Sequence, residues 1–193
     1  QLGQVYVDGE WTTIATLREE EGYIRYKGKW RTIQEIELFE TQAKRELAEK
    51  EWSNRLKRWR SDLNGTQRAK SAWESIAAIR APEAVRPLSQ ALAVEPLRQV
   101  KMLFTEVLAS IQSAEAVAAL VHCSLNDPDI EMFHDCLGKL LKLKLPTLSE
   151  NYITALRDIN NARLNRAALA LGMIGDKSAI SPLIDSLTTT HPV

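Results

Sequence analysis

Cysteine is scarce in this 193-residue chain, and charge of neither sign is in excess. Two cysteines, Cys123 and Cys136, are too few for a disulfide framework and say little about the compartment. Lys plus Arg total 25, and so do Asp plus Glu, which removes any overall attraction to nucleic acid or anionic membranes. No run approaches the roughly 18 apolar residues that a membrane helix requires. These absences exclude a disulfide scaffold and membrane insertion, and they restrict any binding of a polyanion to a local site.

The rest of the composition, 45% apolar and 26% charged, is ordinary for a globular protein. The length suits one sizeable domain, or a small domain beside a repeat array. We therefore expect a soluble protein. The chain begins with Gln1, which favours a processed or excised piece of a longer protein and leaves two compartments open: cytoplasmic, or exported with the signal peptide removed.

A phrase recurs about every 32 residues through the last two thirds of the chain, at Ile79–Leu92, Ile111–Ser124 and Ile174–Leu187. Superposing the three segments aligns three alanines, then a β-branched residue, then three leucines; the aligned sets are Ala84, Ala116 and Ala179, then Val85, Val117 and Ile180, then Leu88, Leu120 and Leu183. A degenerate copy at 140–156 keeps apolar residues in register. Such a period is typical of a helical solenoid. We predict eight helices in four pairs after Gly65, with strands confined to the first 31 residues.

The phrase resembles HEAT repeats of the short bacterial type, which also occur in relatives of phycobilisome lyases. That resemblance covers roughly residues 71–190, and the opening segments also look like uncharacterised bacterial HEAT-repeat proteins. It implies a mainly α-helical solenoid of HEAT-like pairs that holds a partner. Attachment of a tetrapyrrole, the lyase reaction, is the third-ranked function, because scaffolds without that activity share the same repeat pattern.

The first forty residues contain a separate duplication, in which Gly9 to Ile14 (GEWTTI) is echoed nineteen residues later by Gly28 to Ile33 (GKWRTI). Each copy contains a tryptophan and follows a β-prone stretch with a glycine turn, which predicts a hairpin and then a helix. The equivalent residues Trp11 and Trp30 are a candidate aromatic platform for a ligand such as a Pro-rich peptide. Small hairpins need a large apolar residue for stability, so we favour a core role for both tryptophans.

The ends of the predicted helices carry capping signals. Thr13 and Thr32 stand where N-caps belong, and Glu35 completes a capping box with Thr32. Gly22 can end the first helix as a C′ glycine. Further along the chain, Asp127-Pro128 is expected to begin the fifth helix of the array.

No Gly or Pro occurs between Thr32 and Asn64, which predicts one long helix. We expect its first half to cover the hairpins and its second half to pack on the first repeat. Three tryptophans, Trp52, Trp59 and Trp73, are expected to fill the junction. The predicted domains are a hairpin-helix module at 1–31, the long helix at 32–64 and HEAT-like repeats at 65–193.

The second half of this helix and the residues after it are basic, which makes nucleic-acid binding the second-ranked function; the basic residues are Arg55, Lys57, Arg58, Arg60, Arg68 and Lys70. Arginines beside aromatic rings can clamp phosphates and stack bases. Trp52 and Trp59, however, follow the helical rhythm of a buried stripe, and stacking residues must be exposed. We therefore favour a core role for these tryptophans.

Two polar positions recur on the second helix of each predicted pair. The first holds Arg86, Ala118, Glu150 and Ser181, and the second, one turn later, holds Gln90, His122, Thr154 and Asp185. The HEAT resemblance implies that these helices line the concave face, so the two ladders form the candidate partner-binding groove. The ladders contain one Arg and two acidic residues, whereas a groove that follows a phosphate backbone would be rich in Lys and Arg.

His122, Cys123, His134 and Cys136 could suggest a zinc site. Adjacent helical residues do not share a face, however, and residues two apart point even further from each other. We expect no metal, no cofactor and no disulfide, with the thiols packed as small hydrophobes.

Taken together, these patterns predict a non-catalytic scaffold that binds a protein or peptide in a HEAT-repeat groove. The last predicted helix presents Ile180, Leu183, Ile184 and Leu187 where internal repeats meet their neighbours. A terminal solenoid repeat needs a polar outer face. We therefore also expect an exposed apolar edge at this end, and with it either continuation of the array or self-association.

Overall fold

The computed structural model describes residues 4–7 and 9–188. It is mainly α-helical, and its described strands form two small antiparallel hairpins that end at Arg31, as predicted. The chain divides into two compact units, Gln1–Ala48 and Glu49–Val193. The division falls inside the long helix, whereas the sequence predicts boundaries at the ends of that helix.

The first unit contains two hairpin-helix modules. Strands β1 (Gln4–Val7) and β2 (Glu10–Thr13) precede helix α1 (Ile14–Glu20), and strands β3 (Ile24–Tyr26) and β4 (Lys29–Arg31) precede helix α2 (Ile33–Asp62). Gly9, Lys27 and Gly28 adopt the positive φ predicted for the turns. Asp8, the partner of Gly9 in the predicted turn, lies outside the described residues.

All three capping predictions for the first unit are confirmed. The Thr13 hydroxyl accepts a hydrogen bond from the N–H of Thr16. In the capping box, the N–H of Glu35 donates to the Thr32 hydroxyl at 3.2 Å, and the N–H of Thr32 donates to the Glu35 carboxylate at 2.8 Å. Gly22 ends α1 with a φ of +84°. These bonds satisfy backbone groups that a helix end leaves unpaired.

Within the described residues, the second unit contains the end of α2 and eight further helices, which confirms the predicted four pairs. The helices are α3 (Ala69–Ala77), α4 (Val85–Val94), α5 (Arg98–Ile111), α6 (Ala114–Asn126), α7 (Ile130–Lys142), α8 (Leu148–Ala155), α9 (Asn161–Ile174) and α10 (Ile180–Thr188). Short 3₁₀ turns, Pro82–Ala84 and Lys177–Ala179, lead into α4 and α10. The degenerate third repeat is therefore a genuine helical pair, α7 and α8.

The cap of α7 corrects one prediction. The carboxylate of Asp129 accepts a hydrogen bond from the N–H of Glu131, so the N-cap lies two residues beyond Asp127. Asp127 is instead 8% exposed, and its carboxylate accepts a hydrogen bond from the ammonium group of Lys101 at 2.5 Å. Its charge is thus used in a tertiary contact between α5 and the α6–α7 loop.

The core of the second unit repeats with the sequence. One layer consists of large apolar side chains at a single position of the first helices; it contains Ile76, Leu108, Leu140 and Leu171, which are at most 2% exposed. On the second helices, Leu88, Leu120 and Tyr152 occupy another shared position and are fully buried. In the degenerate repeat, a tyrosine thus takes the place of the recurring leucine.

The second half of α2 packs on the array, as predicted. Leu56 is 3% exposed within the core, and Trp52 and Trp59 pack against it half-buried. Trp73 differs from the prediction, since 41% of it is exposed. In the first half of α2, Phe39 contacts the ring of Tyr26 with the centroids 6.0 Å apart, so this half does cover the second hairpin.

Candidate functional site

The two predicted ladders lie on α4, α6, α8 and α10, one pair of residues on each second helix. All eight side chains are exposed; they are Arg86, Gln90, Ala118, His122, Glu150, Thr154, Ser181 and Asp185. The members of each pair are four residues apart, so they lie on one face of their helix. Buried residues such as Leu88 and Leu120 occupy the opposite face. The helices therefore present a mostly small and polar surface over an apolar layer.

The electrostatics of the ladders are mixed. The guanidinium of Arg86 donates to the carboxylate of Glu49 on α2 at 3.2 Å, although the Arg86 side chain remains 65% exposed. The two acids of the ladders, Glu150 and Asp185, lie on α8 and α10. The ladders contain a single arginine, and it already has an acidic partner. This balance suits a polar protein surface better than a phosphate backbone.

Buried polar bonds hold the second helices against one another beneath the ladders. The hydroxyls of Ser124 on α6 and Tyr152 on α8 lie 2.9 Å apart, and both side chains are fully buried. Burial raises the pKa of Tyr152 to about 12. The Ser149 hydroxyl of α8 donates to Asp176, just before α10, and this bond, with the N–H of Ser178, lowers the pKa of Asp176. These bonds connect α6 to α8 and α8 to the turn that precedes α10.

A second set of polar bonds joins the first helix α5 to α7, and α9 to the loop between α6 and α7. The Thr105 hydroxyl on α5 is fully buried and donates to Asp135 on α7 at 2.7 Å. Asp135 also pairs with the ammonium of Lys139 at 2.5 Å. The guanidinium of Arg166 on α9 donates to the backbone carbonyl of Asp127. Sequence reasoning missed the contacts of Thr105 and Arg166 because their partners lie 30 and 39 residues away.

The two tryptophans of the candidate aromatic platform behave differently. Trp11 is 70% exposed, and its ring centroid lies 5.3 Å from that of Tyr6 on the paired strand. Trp30 is half-buried on β4. The predicted core role is therefore wrong for Trp11. The physical reason is that no described residue of the first unit is fully buried, so this unit has no interior to receive a large ring.

Three of the six residues of the basic stretch, Arg55, Arg60 and Arg68, make intramolecular contacts. A bidentate hydrogen bond to Glu95 raises the pKa of Arg60 above its usual value. Arg68 pairs with Asp62 at 3.3 Å, and the Arg55 guanidinium lies 5.0 Å from the ring centre of Trp52. The tryptophan stripe packs on the core as predicted. Arg58 and Arg68 line a shallow depression of about 230 Å³ between α2 and α3.

The cysteines and histidines occupy separate environments. Cys123 on α6 and Cys136 on α7 are free and buried, and the two thiols interact with each other. This contact and burial raise the pKa of Cys136, which makes it a poor nucleophile. His122 and His134 are exposed, and His134 packs edge-on against the ring of Phe133. In the described part of the chain, no three His, Cys, Asp or Glu residues group as a metal site would require.

Among the described residues, no helix combines the length with the apolar character that crossing a bilayer requires.

The architecture defines a class of protein, an array of tandem helical pairs with one continuous core. Within this array, residues 165–189 match the family model of the PBS lyase HEAT-like repeat. The matched segment covers most of the fourth pair and contains the copy of the recurring phrase at Ile174–Leu187. This segment is therefore similar to a PBS lyase HEAT-like repeat, which agrees with the resemblance noted for the recurring phrase. A comparison with curated proteins finds no match to the chain.

Proposed function

We propose that this protein is a non-catalytic scaffold that binds a protein or peptide across the two ladders of its second helices. The observation that carries the proposal is the exposure of all eight ladder side chains along the second helices of four successive pairs. Beneath these side chains lies a buried layer, in which a hydrogen bond between Ser124 and Tyr152 joins α6 to α8. A preorganised surface binds without the entropic cost of ordering its own helices.

The chemistry of the ladders favours a polypeptide partner over the two other functions considered. Glu150 and Asp185 would repel phosphates, and the arginine of the ladders contacts Glu49. A lyase would need a reactive group on the same surface, where His122 is the best candidate for one. His122 is exposed, whereas the thiols of Cys123 and Cys136 are buried. Neither thiol therefore lies beside His122 in the groove.

A site-specific cross-linking experiment tests this proposal. A photoreactive amino acid is placed at Ala118 in the ladders and, as a matched control, at Asn165, which is exposed on the first helix α9. Both chains serve as bait in extract of the source organism, and cross-linking follows washes at low and high salt. We expect a discrete protein adduct at Ala118 that survives high salt and is missing at Asn165.

Two results would contradict the proposal. Equal adducts at the two positions would show that the ladders are not the binding surface. Retained nucleic acid that is released at high salt would favour the basic stretch instead, because phosphate contacts weaken steeply with salt. Replacing both Arg58 and Lys57 with Gln would then abolish the retention.

A further inference from the structure

Two adjoining depressions lie along the second half of α2. The first is the depression of about 230 Å³ between α2 and α3, and its lining includes Arg58, Trp59 and Arg68. The second has a volume of about 220 Å³ and is lined by Arg55, Arg58 and Trp59. Because Arg58 and Trp59 line both, the two depressions form one surface feature, which we call the arginine furrow.

The charges of the furrow are unbalanced, although the chain as a whole is neutral. Its lining contains three guanidinium groups and one carboxylate, that of Asp62. Arg58 is exposed and has no ion pair among the described residues. Arg68 pairs with Asp62 at 3.3 Å, but its side chain is 79% exposed, and an exposed pair of this kind is weak. Arg58 and Arg68 are therefore available to an anionic ligand.

Serine hydroxyls line the α3 side of the first depression. The hydroxyl of Ser75 donates to the backbone carbonyl of Ser71 at 2.7 Å. The Ser71 hydroxyl has no hydrogen-bond partner among the described residues, so it can donate to a ligand. A guanidinium presents its N–H donors in a planar fork that matches the two oxygens of a carboxylate. The lining thus combines fork-shaped donors with a neutral one.

The tryptophans near the furrow indicate which class of anion fits. Proteins that bind single-stranded nucleic acid combine a basic groove with exposed rings on which bases stack. Here the guanidinium of Arg55 lies 5.0 Å from the ring centre of Trp52, and Trp59 packs half-buried against the core. Trp73 is 41% exposed but does not line the furrow. The furrow therefore offers cations without a stacking platform.

We propose that the arginine furrow binds an acidic segment of a partner protein through the carboxylates of its Asp or Glu side chains. One carboxylate lies between Arg58 and Arg68, where Ser71 adds a donor, and a second lies between Arg55 and Arg58. The arginines are exposed, so salt weakens the contact, and we expect a dissociation constant on the order of tens of micromolar. The furrow shares no residue with the ladders, so this binding does not depend on the proposed function.

Fluorescence anisotropy with a labelled peptide of alternating Glu and Ser tests the proposal. Arg58→Gln combined with Arg68→Gln should weaken binding about tenfold or more, because both guanidiniums of the first depression are lost. The matched control is Lys57→Gln combined with Lys70→Gln. It removes the same amount of charge from two exposed lysines that do not line the furrow, so it should weaken binding by less than about threefold. A peptide with Gln in place of Glu should not bind.

Three results would overturn the proposal. If the wild-type chain binds the Glu and Gln peptides equally, the furrow does not recognise carboxylates. If the arginine and lysine variants weaken binding equally, the attraction is to net charge and not to this site. Tighter binding of a labelled oligothymidylate, lost in the arginine variant, would assign the furrow to nucleic acid. Circular dichroism verifies the helix content of each variant, and Arg58→Gln alone, which should weaken binding about threefold or more, repeats the test with the pair of Arg68 and Asp62 intact.

Discussion

Replacement of Arg60 by Met should destabilise the repeat array by removing the ion pair that attaches α2 to it. The guanidinium donates to both carboxylate oxygens of Glu95 in the α4–α5 loop, at 2.5 and 2.9 Å. Glu95 is 6% exposed and also accepts a hydrogen bond from the N–H of Leu97. After the substitution, the buried carboxylate keeps that N–H but loses its counter-charge.

The magnitude follows from the burial of the two partners. Removing one member of a buried ion pair costs about 3–5 kcal/mol. The Arg60 side chain is 25% exposed, so some water can replace it, and we expect a loss of about 2–3 kcal/mol in the free energy of unfolding. For a protein of this length, this loss corresponds to a fall in Tm of roughly 5–10 °C.

Urea unfolding followed by circular dichroism measures the loss, with Arg68→Met as the matched control. Arg68 also pairs with a carboxylate, that of Asp62, but its side chain is 79% exposed. An exposed pair of this kind contributes about 0–1 kcal/mol. The double variant Arg60→Met with Glu95→Met should recover most of the lost stability, because no buried charge remains unpaired. Equal losses for Arg60→Met and Arg68→Met, or no recovery in the double variant, would refute the reasoning.

Three further outcomes follow from the buried layer. Burial raises the pKa of Tyr152 from about 10 in the unfolded chain to about 12. The ionisation of Tyr152 therefore leaves the free energy of unfolding unchanged below pH 10 and lowers it as the pH rises from 10 through 12. Tyr152→Phe should remove this fall, as measured by urea unfolding at several pH values. Cys123 and Cys136 should resist alkylation in the folded protein and both react in denaturant without reductant, whereas a need for reductant would indicate a disulfide. Leu120→Ala should cost about 2–5 kcal/mol, since this leucine is fully buried, and a loss below 1 kcal/mol would contradict the assigned core.

The N-terminal unit shows where reasoning from pattern reaches its limit. The duplicated hairpins, the positive-φ turn at Lys27-Gly28 and the capping box at Thr32 were all predictable, because each depends on residues within a few positions of one another. The exposure of Trp11 was not predictable in this way. Whether a large ring is buried depends on the presence of an interior, and that is a property of the whole unit.

The repeat array divides in the same way. Its four helical pairs were predictable from a 32-residue period, because every pair must bury the same apolar positions against its neighbours. The ladders follow from that register, and the exposure of their side chains agrees with it. Their role in binding a partner stays a proposal, since an exposed surface does not name what it binds.

The sequence by itself determined the helical pairs and the helix caps of the first unit, since these follow from periodicity and local hydrogen bonding. Only the tertiary structure decided that Arg60 reaches Glu95, that Tyr152 reaches Ser124 and that the two thiols meet. These partners lie 35, 28 and 13 residues apart. Contacts of this range depend on how each helix is rotated and packed, and no local pattern contains that information.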